Sequence, residues 1–69
     1  MSYGDFSAQI TARGAVAVTR SAETKTTSFE YNGQLWNCTF KNQPAMTSDL
    51  ADGYEMDYCL AQFCSRVVR

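Results

Sequence analysis

The chain has 69 residues, 45% of them hydrophobic and 19% charged, a net charge of −1 and no histidine. Those figures allow one small domain that buries only about 60% of the surface its unfolded chain exposes. They exclude a disordered chain, which would reverse the balance of apolar and charged residues, and a protein held to nucleic acid mainly through phosphate contacts, which needs a basic face.

The opening MSYGDFSAQ lacks both a basic n-region and an apolar h-region, and no apolar run approaches the roughly 20 residues that span a bilayer. The expectation is a soluble cytoplasmic protein with no membrane partner. Phe6, Ala8, Ile10 and Ala12 then alternate with Ser7, Gln9, Thr11 and Arg13, and Val16 and Val18 continue the even series beyond Gly14. A period of two predicts strands. Arg13-Gly14 reads as a hairpin turn between two of them, with a glycine bulge in one long strand as the other option. Ser21 to Lys25 is a polar connection.

The stretch TTSFEYNGQLWNCTF, residues 26–40, centres on Asn32-Gly33, the preferred pair for a two-residue turn with φ > 0 at both central positions. That turn pairs Tyr31 with Gln34, Phe29 with Trp36 and Thr27 with Cys38. One face then carries Phe29, Tyr31, Trp36, Cys38 and Phe40, and the other Ser28, Glu30, Leu35, Asn37 and Thr39. A slip of one residue would mix the two sets. Pro44 ends the sheet, and a loop is expected to about Leu50.

Met56, Leu60, Phe63 and Val67 form one helical stripe, which predicts a helix from about Gly53 to Val68, or from Ser48 with Gly53 as a weak interior point. Asp52 and Glu55 resemble a capping box, and the acidic start and Arg66/Arg69 end suit the helix dipole. The fold class is therefore α+β: a single domain with a four-stranded antiparallel sheet of two hairpins, packed on its aromatic face by one C-terminal helix.

Few chemistries fit this composition. A nucleophilic Cys or Ser needs a base, and histidine is absent. There is no phosphate loop and no CxxC pair, so neither an enzyme nor a metal or other cofactor is expected. Cys38, Cys59 and Cys64 read as reduced, partly buried thiols, with a Cys38 bridge to the C-terminal segment open to an oxidised chain.

Tyr54 and Tyr58 lie four apart, opposite the apolar stripe, in line with Ala61 and Ser65. Tyrosine supplies large, rigid contact area and is enriched at protein interfaces. Glu55 and Asp57 flank the pair, and Asp49 and Asp52 add negative charge. The leading expectation is a non-enzymatic protein-interaction module, an adaptor or an inhibitor. Its partner would be another protein with a basic nucleic-acid-binding surface, as for phage or mobile-element proteins that block host defence complexes. Leu35, beside Glu30, is a second candidate contact. The alternatives are a single-stranded nucleic-acid binder stacking bases on Trp36, Phe29 and Tyr31, with Lys25, Lys41 and Arg20 as its cations, and a homodimer joined at a strand edge.

Overall fold

The computed structural model describes residues 3–68, which form three helices and four strands. The fold is α+β with a four-stranded antiparallel sheet, but the elements that fill it differ from expectation at both ends of the chain. Residues Tyr3–Ala12 form a helix, α1, where strands were expected. Phe6 and Ile10 are its buried residues. Their spacing of four suits one face of a strand and one face of a helix equally well. Ala8 and Ala12 settle the matter: both are exposed, and alanine is the best helix former.

Arg13-Gly14 is neither a hairpin turn nor a bulge. Gly14 has φ +106 and ends α1: its N–H donates to the Thr11 carbonyl at 3.0 Å, and Ala15 N–H donates to the Ile10 carbonyl at 3.0 Å. This is a Schellman motif, and the positive φ is why glycine stands there. Ala15 is buried beside Ile10 in the core, which supplies the apolar clasp that usually accompanies the motif.

The chain then enters β1, Val16–Ser21, β2, Thr26–Tyr31, and β3, Gln34–Thr39. The β1–β2 register shifts between Val16 and Thr19, where Ala17 sits at φ +53 as the first residue of a bulge. The β2–β3 hairpin has the expected register throughout, Tyr31 with Gln34, Phe29 with Trp36 and Thr27 with Cys38. Asn32 and Gly33 turn with φ 51 and 75.

The expected loop before Leu50 is instead α2, Gln43–Ala51. Pro44 lies in its first turn, where the missing N–H has no helical partner to lose. The buried residues Gln43, Met46, Thr47 and Leu50 follow helical spacing, but two of them are polar. Gln43 Nε2 donates to Thr27 Oγ1 at 2.7 Å, and Thr47 Oγ1 donates to the Gln43 carbonyl at 2.7 Å, so burial leaves neither side chain unsatisfied.

The C-terminal helix is shorter than expected: α3 covers Met56–Phe63 and gives way to a fourth strand, β4, Cys64–Arg66. β4 pairs with β3 through Trp36–Arg66, Asn37–Ser65 and Cys38–Cys64. The sheet order is β1-β2-β3-β4. Asn42 Nδ2 donates to the Phe63 carbonyl at 3.1 Å, tying the start of α2 to the end of α3.

All three helices cover one sheet face. Phe6, Ile10, Met46, Leu50, Met56, Cys59 and Leu60 close over Phe29 and Cys38. Phe6 meets Phe29 edge to face, with ring centroids 6.3 Å apart. The other face is polar, where Ser28 Oγ donates to Asn37 Oδ1 at 3.1 Å.

Candidate protein-interaction surface

The end of α2 builds this surface. Gly53, at φ +95, donates its N–H to the Leu50 carbonyl at 3.1 Å, and Tyr54 N–H donates to the Asp49 carbonyl at 3.1 Å. This is a second Schellman motif, with Asp52 as the C-cap. Gly53 is therefore a helix terminator, not the interior point or the start of α3. Glu55 is the extended N-cap of α3 and its side chain caps nothing, so the Asp52–Glu55 capping box does not form.

Tyr54 thus precedes α3, and Tyr58 lies in the first turn of α3. Their rings stack, with centroids 5.3 Å apart and planes 21° from parallel, and they are 50% and 49% exposed. Stacking fixes each ring against the other, and the glycine cap fixes the backbone beneath Tyr54. Glu55 and Asp57 are exposed beside the pair, and Asp52 is exposed at the cap. Among the described residues, the side chains of these three carboxylates have no hydrogen-bond or ion-pair partner. Asp49 is half-buried, and its charge raises the pKa of Cys59, already pushed up by burial.

Two shallow grooves meet at Asp57. One is lined by Arg13, Tyr31, Tyr54, Glu55 and Met56, the other by Trp36, Ala61, Cys64 and Arg66. Of these, Arg13, Met56, Cys64 and Arg66 were not expected at a contact surface, and Tyr31 and Trp36 were expected at one only as a platform for stacking bases. The signal for the first groove lay in Gly53: read as a left-handed cap, it releases Tyr54 from the helix and brings it towards the hairpin tip. Arg13 is partly committed already, since it donates to the Leu50 carbonyl at 2.6 Å and to Gln9. Ala61 continues the tyrosine line as an exposed residue, whereas Ser65 leaves it for β4.

Leu35 is half-buried on the polar face, paired with Glu30, in a hollow it shares with Gln34 and Val67. The rings expected to stack bases divide. Phe29 is completely buried, while Tyr31 and Trp36 are half-buried. Trp36 stands at the rim of the core, beside β4, and not beneath the middle of a long helix. Arg20 is held between the rings of Tyr3 and Phe40, its guanidinium carbon 4.4 Å from each centroid. Lys25 and Lys41 are exposed. The outer strands are β1 and β4, and the bulge at Ala17 interrupts the β1 edge.

No family model, no curated protein and no solved structure matches this chain. Among the described residues, no helix is long and apolar enough to cross a membrane, and no group of three or more Cys, Asp or Glu is placed to hold a metal ion.

Proposed function

We propose that this chain is a non-enzymatic protein-interaction module that occupies a basic surface of another protein, with the Tyr54–Tyr58 stack as its anchor. The observation that carries the reading is the stack itself: two half-exposed rings, fixed before any partner arrives. Ordered aromatic side chains lose little entropy on binding and are the commonest kind of interface hot spot. The free carboxylates of Asp52, Glu55 and Asp57 favour a basic partner surface and faster encounter with it. Where that surface is a nucleic-acid groove, occupying it masks the groove, and the module acts as an inhibitor.

A photo-crosslinking residue at position 61, at the edge of the strip, tests this. The reading expects one dominant crosslinked protein that is lost in Tyr54→Ala/Tyr58→Ala and weakened by added salt. A matching probe at Thr39, away from the strip, is expected to give no such product. Equal crosslinking from both positions, or a product indifferent to the tyrosines, contradicts it. A crosslinked second copy of the chain would favour the homodimer instead.

A further inference from the structure

Sulfur is gathered where the last strand meets the sheet. Cys38 of β3 and Cys64 of β4 are direct cross-strand partners. Such partners share a face with Cα atoms about 4.5–5.5 Å apart, within the separation of about 4.4–6.8 Å that a disulfide spans. Cys38 Sγ lies 3.6 Å from the Phe63 carbonyl, and Cys64 Sγ lies 3.5 Å from Met46 Sδ. The two thiols also act on each other. Contact with Cys64 lowers the pKa of Cys38, while contact with Cys38 and burial raise that of Cys64. Cys38 is fully buried, but Cys64 is half-buried and lines the groove beside Trp36. The third thiol, Cys59, is buried on α3, with no cross-strand partner.

We propose that Cys38 and Cys64 are a redox-active dithiol that closes to a disulfide on meeting a small disulfide oxidant of the glutathione type, fastening β4 to the sheet. β4 has three residues and lies at the sheet edge, so it opens locally at low cost. In the opened state one thiolate of the pair attacks a sulfur of oxidised glutathione. A protein–glutathione S–S bond forms and one glutathione thiolate leaves. The second protein thiol gives its proton to solvent and attacks the protein sulfur of that mixed disulfide. The Cys38–Cys64 bond forms and the second glutathione leaves. Two electrons pass to the oxidant, and the two protons given up by the protein thiols are taken up through solvent by the two glutathione thiolates that leave. In the reduced state the segment from Cys64 to Val67 is held by the short ladder, by Val67 N–H on the Leu35 carbonyl at 2.9 Å and by Gln34 Nε2 on the Val67 carbonyl at 3.2 Å. The bridge adds a covalent tie that closes a loop of roughly 25 residues.

The test equilibrates the full chain with reduced and oxidised glutathione, traps free thiols with an alkylating agent and maps the products by mass spectrometry. The expected product is about 2 Da lighter than the reduced chain, joins Cys38 to Cys64, and leaves Cys59 to be alkylated. It melts at least about 5 °C higher than the reduced chain. Cys59→Ala is expected to form the same bridge, and Cys64→Ser neither the bridge nor the gain in melting temperature. A bond to Cys59, a glutathione adduct that never resolves, or an oxidised chain that melts no higher would overturn the proposal.

Discussion

The two glycine-capped helix ends use one motif for opposite purposes. At Gly14 the residue after the glycine is Ala15, only 3% exposed, and the helical residue it returns to is the buried Ile10. At Gly53 the corresponding residues are Tyr54, half exposed, and Asp49. The first cap has its apolar clasp and turns the chain into the sheet. The second has none, and its ring stacks on Tyr58 in solvent. The second stop leaves a large ring half exposed, which is the feature the proposed contact surface rests on, whereas the first stop serves the core.

The sharpest way to break this comparison is to place a carboxylate after each glycine. Ala15→Asp buries an unpaired charge, a loss of about 3–5 kcal/mol. That rivals the whole stability of a chain this size, roughly 3–10 kcal/mol, so circular dichroism is expected to find Ala15→Asp largely unfolded. Tyr54→Asp, at a half-exposed position, loses the stack on Tyr58 and is expected to cost no more than about 1.5 kcal/mol in urea unfolding. Equal losses at the two sites would contradict the distinction.

Glycine replacement removes the distinction and tests the shared geometry. Gly14→Ala and Gly53→Ala each force a side chain into a left-handed backbone, at about 1–2 kcal/mol, read from the urea midpoint. A Cβ would meet nothing within 4 Å at Gly53 and only the Tyr31 ring at 3.9 Å at Gly14, so backbone strain is the cause in both cases. Arg13→Met cuts the link between the caps, since Arg13 is the C-cap residue of α1 and donates to the Leu50 carbonyl beside the second cap. A loss of about 1–2 kcal/mol is expected, with added mobility at Tyr54 in amide exchange.

The smallest effect is a dependence on pH. The Cys59 thiol has its pKa raised above the ordinary 9.0, first by burial and then by the charge of Asp49. The unfolded chain therefore releases this proton before the folded one. The contribution of Cys59 is fully present below pH 9.0 and is lost as pH rises through its folded value. Unfolding of reduced protein at neutral and alkaline pH is expected to show a smaller alkaline loss in Cys59→Ala than in the parent chain.

How much of this was legible in the sequence depends on how many physical constraints each segment carries. The central hairpin was readable residue by residue, because a two-residue turn at Asn32-Gly33 permits one register and that register sorts apolar from polar. The first helix was not, because Phe6 and Ile10 satisfy two periods at once. The second was concealed by Gln43 and Thr47, polar residues buried through hydrogen bonds to partners that the sequence does not reveal. The end of α3 was overrun because Val67 keeps helical spacing after the backbone has joined β3. At the candidate surface the exposure of Tyr58 and Asp57 was readable from the helical wheel, whereas Tyr54 is exposed from the turn after Gly53 and Asp49 is half-buried in α2. The tyrosine stack, the grooves at Asp57 and the place of Trp36 depend on chain segments far apart in sequence.

The central claim is that Tyr54 and Tyr58 serve binding and not folding. Titration of the crosslinked partner by calorimetry, with the parent chain and with Tyr54→Ala/Tyr58→Ala, tests it most directly. The account predicts binding weaker by at least about 30-fold, the size of a hot-spot loss, in a variant that stays folded and loses no more than about 1.5 kcal/mol, the worth of the stack, in urea unfolding. Parental affinity in a folded double variant would contradict it.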